Sequence, residues 1–223
     1  MSVEPAPPPP HPAPIHVVVS PYKTGTTSIE QALVTLGIGA APMPYNGAAL
    51  RQWLPRLRRL NARAFDTEHP KRWLRKRGPF VRERLAAAYP FLNRFDIFAD
   101  APFGHGHIHP LVIAALAPEA RFIWVNRDFD DWINSLRKWE LAHPKTYSAK
   151  RLALWQKSPD DMVELMRHRW HSRHKAFRQI AELSPSQCLE LTFEDFTDYS
   201  ALSNFYGVRA PEGTLPRLNA SDG

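Results

Sequence analysis

Near the start of the chain, an apolar run leads directly into a glycine-containing loop and then into a helical pattern. Ile15–Ser20 is rich in β-branched residues, which is typical of a short buried strand. The loop that follows reads PYKTG, and its Gly25 permits a tight turn. From Thr27 to Leu36 the apolar residues recur at helical spacing. A strand, a short loop and a helix in this order predict the first unit of an α/β fold.

The same alternation continues along the rest of the chain. Further strands are predicted at Phe95–Ala99, Arg121–Asn126 and Cys188–Thr192. Helices are predicted at 48–89 with interruptions near Pro70 and Pro79, and at 110–116, 130–141 and 159–183. The pattern indicates a single α/β domain over residues 15–223, with a mainly parallel sheet flanked by helices, after a disordered proline-rich tail over 1–14. Ligands of such sheets bind at the carboxyl ends of the strands, so the loops after Ser20, Ala99 and Asn126 are the candidate sites.

Composition narrows the class of ligand and the compartment. The 223 residues carry a net charge of +7, which favours an anionic ligand or surface. Cys188 is the only cysteine, which fits a reducing compartment. The first fifteen residues, MSVEPAPPPPHPAPI, lack the basic and apolar regions of a signal peptide, and no segment approaches the ~20 apolar residues that span a bilayer. We therefore expect a cytoplasmic protein without a membrane segment.

The loop after the first predicted strand can bind an anion. The backbone amides of Thr24, Gly25, Thr26 and Thr27 stand at a helix start, where unpaired N–H groups and the helix dipole favour negative charge. Lys23 lies inside the loop, whereas the lysine of an ATP-binding P-loop stands at the beginning of the helix. An ordinary strand–turn–helix connection is the alternative interpretation.

The stretch PYKTGTTS resembles the 5′-phosphosulfate loop P-K-x-G-T-T of sulfotransferases, with Tyr22 inserted between proline and lysine. These enzymes use 3′-phosphoadenosine 5′-phosphosulfate (PAPS) and release 3′-phosphoadenosine 5′-phosphate (PAP). The resemblance implies a P-loop-like sulfotransferase fold and a catalytic role for Lys23. It also implies a donor-binding loop made of Lys23, Thr24, Gly25, Thr26, Thr27 and Ser28. Ser28 takes a place where cytosolic members often carry a tryptophan that stacks on adenine.

The strand Arg121–Asn126 leads into a second pattern. Arg127 follows the strand and Ser135 lies eight residues further on, about two turns into a helix. A guanidinium fork and a hydroxyl placed in this way can converge on one phosphate, although a surface arginine and a helix-face serine are the plain alternative. The arrangement is similar to the 3′-phosphate site of sulfotransferases. PRLN at 216–219 is similar to endings in this superfamily.

Sulfuryl transfer to a hydroxyl benefits from a base that removes the acceptor proton. Asp100 follows a predicted strand, at the position where the resemblance places the catalytic base, and helix capping is its alternative role. His105 is the second candidate, because its ordinary pKa lies near neutrality. Glu30 is the third, although Thr27 and Glu30 also fit a capping box. His105, His107 and His109 have no acidic or cysteine partner at metal-ligand spacing, so no metal is expected.

Residues 51–84 hold twelve basic side chains against three acidic ones, a local net charge of +9. This segment is either a solvated helical face or a basic wall that attracts an anionic acceptor, such as an acidic sugar or a phosphorylated metabolite.

The sequence as a whole predicts a PAPS-dependent sulfotransferase that acts on a hydroxyl or amine of a small-molecule or carbohydrate acceptor. Two other functions stay open. A kinase with a divergent P-loop would use Asp100 as a Mg²⁺ ligand. A nucleic-acid-binding protein would use the basic and aromatic segment 72–77, although such a partner is not expected.

Overall fold

The computed structural model describes His11, residues 13–216 and Leu218, and it confirms a single α/β domain with a parallel sheet. Its four strands are β1 (His16–Val18), β2 (Ile97–Phe98), β3 (Arg121–Asn126) and β4 (Cys188–Thr192). They pair in the order β2-β1-β3-β4, and every pair is parallel. All four carboxyl ends therefore meet at one edge of the sheet.

Helices fill the connections between the strands. They are α1 (Thr26–Thr35), α2 (Gly47–Phe65), α3 (Pro70–Arg84), α4 (Tyr89–Leu92), α5 (Pro110–Leu116), α6 (Phe129–Ala142), α7 (Ala149–Lys157), α8 (Pro159–Leu183) and α9 (Ser200–Tyr206). The interruption expected near Pro79 is wrong, because α3 continues through this proline to Arg84. Pro70 does mark a boundary, since it occupies the first turn of α3, where a missing N–H costs nothing. Helix α7 was not predicted.

Both faces of the sheet are buried, as the apolar strands predict. Along β3, Phe122 and Trp124 face the core shared with α2, α3, α5, α6, α7 and α8. Ile123 and Val125 point the other way, into a smaller core with α1 and α9. Because successive side chains of a strand point to opposite faces of the sheet, β3 contributes residues to both cores.

A cluster of tryptophans fixes α6 and α8 against the sheet. The Trp170 ring of α8 lies 5.4 Å from Trp124 of β3 and 4.7 Å from Trp132 of α6, centroid to centroid. All three residues are at most 5% exposed. Aromatic pairs at this spacing contribute about 0.5–1.5 kcal/mol beyond the area they bury. The packing determines where the polar side chains of α6 and α8 lie, Ser135 and Arg169 among them.

Most of the predicted tail over 1–14 lies outside the described residues. His11 is described; it is buried, and its backbone N–H donates to the Leu116 carbonyl at 2.7 Å. In the described part of the chain, no helix combines the length and the apolar character needed to cross a membrane.

Candidate active site

A cavity of about 670 Å³ opens at the carboxyl edge of the sheet. Loops that follow each of the four strands contribute side chains to its wall, and helices α6 and α8 contribute more. Of the ten site residues predicted from the sequence, all but Thr24 line the cavity. These nine are Lys23, Gly25, Thr26, Thr27, Ser28, Asp100, His105, Arg127 and Ser135.

The loop after β1 ends in a tight turn that starts α1. Gly25 has φ +95° and is the N-cap residue of α1, so the first free amides of the helix belong to the loop. A Cβ at Gly25 would lie 2.8 Å from Phe196 Cε1, so both the backbone angle and the close packing require glycine. The Thr24 hydroxyl is buried beside the Pro21 carbonyl at 2.7 Å and Ser20 Oγ at 3.0 Å. A contribution of Thr24 to anion binding would therefore come from its backbone amide.

Tyr22, the residue inserted into the loop, anchors it to α6. Its carbonyl accepts a hydrogen bond from Trp132 Nε1 at 2.9 Å, and its hydroxyl donates to the fully buried Glu140. Glu140 also accepts hydrogen bonds from Arg151 and from Trp155 Nε1 on α7. Tyr22 thereby joins the loop to two helices, which holds the next residue, Lys23, in place.

Two cations converge at the mouth of the loop. Arg127 Nη1 donates to the Lys23 carbonyl at 2.8 Å, and the Lys23 ammonium lies 4.4 Å from the centre of the Trp139 ring. Burial lowers the pKa of Lys23, and the nearby charge of Arg127 lowers it further. Burial also lowers the pKa of Arg127. An anion placed between these cations would offset the cost of holding two positive charges together.

Two serines and the end of the chain complete this part of the wall. Ser135 is 6% exposed and lies on the side of α6 that lines the cavity. Ser28 Oγ accepts a hydrogen bond from the Leu218 backbone N–H at 3.1 Å, and Leu218 itself lines the cavity. The sequence PRLN, noted above, therefore reaches the donor loop through Leu218, while its Arg217 and Asn219 lie outside the described residues.

Asp100 and His105 meet in the loop after β2. Asp100 Oδ1 lies 3.4 Å from His105 Nδ1 and accepts the Ala101 backbone N–H at 2.8 Å. On the other side of the ring, His105 Nε2 lies 3.3 Å from Thr26 Oγ1 in the donor loop. Burial holds the pKa of His105 well below its usual value and raises the pKa of Asp100. A neutral imidazole with Nδ1–H toward the carboxylate leaves Nε2 as the proton acceptor that faces the donor loop.

Glu30, the third candidate base, does not line the cavity. The capping box proposed for it is wrong, since the N-cap of α1 is Gly25 and no side chain caps this helix. Burial and then the charge of Asp100 raise the pKa of Glu30 to about 7.

Among the cavity residues that were not predicted, four lie in the loop after β4 and on α8. Phe193 and Phe196 follow β4, with ring centroids 5.3 Å apart, and the Arg127 guanidinium lies 4.9 Å from the Phe193 ring centre. The loop after β4 could have been included among the candidate sites, because in a parallel sheet β4 ends at the same edge as the other strands. Arg169 and Arg173 project from α8.

The basic segment 51–84 lies elsewhere. Eleven of its twelve cationic side chains are exposed, Arg82 is half-buried, and none lines the cavity. Its Trp73 is 8% exposed and packs in the core, so this ring is not available for stacking on bases. These positions favour the solvated helical face over a basic wall.

Among the residues that the structure describes, no group of three or more His, Cys, Asp or Glu side chains is placed to hold a metal ion.

Comparison with known proteins identifies the family. A family model of sulfotransferase domains matches residues 17–223. Among solved structures, the fold is similar to the sulfotransferase domain from the Synechococcus PCC 7002 olefin synthase, at 16% identity and a TM-score of 0.51, over 99% of this chain and 82% of that one. The chain matches no curated protein. Because the family model covers nearly the whole domain, including both loops that hold Lys23 and Arg127, this chain belongs to the sulfotransferase domain family.

Proposed function

We propose that this protein transfers a sulfuryl group from PAPS to a hydroxyl or amine of a small acceptor. The observation that carries the proposal is the convergence of Lys23, Arg127 and His105 in one cavity at the carboxyl edge of the sheet. Family membership supports sulfuryl transfer over the phosphoryl transfer of a divergent P-loop kinase.

The cavity wall offers a complement to each part of the donor. The amides at the start of α1, with Lys23, suit the 5′-phosphosulfate. Arg127 and Ser135 suit the 3′-phosphate, since a guanidinium and a hydroxyl supply strong donors to its oxygens. Phe193 lies beside Arg127 and close to Gly25. Its ring would supply an aromatic face for adenine, since Ser28 stands where related enzymes often carry a tryptophan. The donor brings an activated sulfuryl group, and the chain's own residues bind and polarise it.

In the transfer step, His105 Nε2 takes the proton of the acceptor hydroxyl while Asp100 holds the opposite ring nitrogen. The acceptor oxygen forms a bond to sulfur as the bond from sulfur to the bridging oxygen breaks. Lys23 stabilises the negative charge that develops on this bridging oxygen as PAP leaves.

The donor assignment predicts a contrast between PAP and AMP, which lacks the 3′-phosphate. Arg127→Ala and Ser135→Ala should each weaken PAP by about 10- to 100-fold, because a hydrogen bond to a charged group contributes about 1.5–3 kcal/mol. AMP binding should stay unchanged in both variants. The measurement is calorimetric affinity for the two nucleotides.

Phe193→Leu is the matched control on the same wall. It keeps an apolar side chain and removes the aromatic face, so it should weaken PAP and AMP by the same factor. Equal losses of PAP and AMP in Arg127→Ala would show that Arg127 supports the fold and does not bind the 3′-phosphate.

A further inference from the structure

Two arginines one helical turn apart face the cavity from α8. Arg169 and Arg173 line its wall together with Met166, and the spacing of these three residues places them on one side of the helix. None of them belongs to the two donor-binding loops.

In the described part of the chain, no carboxylate forms an ion pair with Arg169 or Arg173. The charge of Glu140 on α6 acts on Arg169, but this carboxylate is already bound by Tyr22, Arg151 and Trp155. Arg151, which pairs with the buried Glu140, adds a third cation to this part of the wall. Guanidinium groups brought together without counter-ions are costly, and an anionic ligand offsets that cost.

The pair lies next to the loop that carries the proposed base. A Cβ built on Gly106 would be 2.9 Å from Arg173 Cδ, so the arginine stem passes directly against this loop. Burial lowers the pKa of His107 to about 3, and the charges of Arg173, Arg169 and Arg151 contribute in that order. The same surroundings lower the pKa of Arg173 to about 10, through burial and the charge of Arg169. The charge of Arg173 therefore acts on both His105 and His107, and its stem lies against Gly106 between them.

We propose that Arg169 and Arg173 bind an anionic group of the acceptor, a carboxylate or a phosphate, while the acceptor hydroxyl faces His105. This inference rests on the proposed sulfuryl transfer. Two guanidinium forks can grip the oxygens of one such group, which would fix the distance from the anion to the reacting hydroxyl. Recognition of an acidic acceptor thus lies on α8 and not on the basic surface of α2 and α3.

The test uses PAP-saturated protein, so that the donor site is filled. Calorimetry compares 4-hydroxybenzoate, 4-hydroxyphenyl phosphate and the neutral 4-hydroxybenzamide in wild type, in Arg169→Ala/Arg173→Ala and in Arg58→Ala/Arg59→Ala. Both variants lose two positive charges, but Arg58 and Arg59 are exposed on α2. In wild type and in the α2 variant, we expect at least one of the acids to bind tenfold or more tighter than the amide. The preference should disappear in the α8 variant, and which acid shows it identifies carboxylate or phosphate as the ligand group.

Several results would overturn the inference. These are equal binding of acids and amide by wild type, absence of binding by any probe, or an acid preference that survives in the α8 variant. A tenfold loss of PAP affinity in the α8 variant would instead assign the two arginines to the donor site. If wild type does not bind PAP, the proposed PAPS-dependent function fails, and this result is independent of the acceptor probes. The acid preference can then still be measured in the absence of PAP.

Discussion

Lys23→Ala is expected to lower the rate of sulfuryl transfer by about 10²–10³, because it removes one preorganised charge at the atom where negative charge develops. PAP lacks the transferred group, so its affinity should fall much less than the rate. Lys23 is held for this role by the Tyr22 anchor and by Arg127, which donates to its carbonyl. The measurement is single-turnover transfer from labelled PAPS, with PAP affinity determined in parallel.

Lys138→Ala is the matched control, because Lys138 is an exposed lysine of α6 outside the cavity. It should leave both quantities at the wild-type level. A Lys23→Ala protein that transfers at the wild-type rate would contradict the assignment of the loop to the sulfuryl group.

His105→Ala is expected to slow turnover by about 10²–10⁴, the usual range for loss of a general base, with PAP affinity nearly intact. Asp100→Asn should cost less, because it removes the negative charge beside Nδ1 and leaves the imidazole in place. The sequence alone ranked Asp100 first, and the contact of His105 Nε2 with the donor loop now favours the histidine.

The pH profile supplies a second measurement of the base. Since burial holds the pKa of His105 well below its usual value, the imidazole stays neutral as the pH falls from 8 to 6.5. The rate should therefore be flat over this range, whereas a base with the ordinary pKa near 6.5 would be half protonated at its lower end. If Asp100→Asn is inactive while His105→Ala is active, the carboxylate is the base.

The position of two loops at the cavity, those of Lys23 and Arg127, could be predicted because each depends on local order in the sequence. The amides around Gly25 point out from the start of a helix that follows a buried strand and a turn glycine. Their direction is set by these neighbouring elements and does not depend on distant parts of the chain. Arg127 and Ser135 likewise follow from one strand and the spacing of one helix. Parallel order then brings these loops to the same edge.

The arginines that we propose for the acceptor could not be predicted in the same way. Arg169 and Arg173 lie in the middle of a long helix rich in cations, and only the packing of Trp170 against Trp124 and Trp132 turns them toward the cavity. The role of Tyr22 depends on Glu140, which is nearly 120 residues away and paired with the unpredicted helix α7. Such contacts depend on tertiary packing, which a single sequence does not encode in any local pattern.

The central claim is that the cavity binds a 3′-phosphorylated adenine nucleotide that carries sulfate. The most direct test is the affinity of wild-type protein for PAP, AMP and ATP, each measured with and without Mg²⁺. We predict that PAP binds tightest, at least tenfold tighter than AMP, and that Mg²⁺ does not change this order. Tighter binding of ATP than of PAP, dependent on Mg²⁺, would contradict the claim and support a phosphoryl-transfer enzyme.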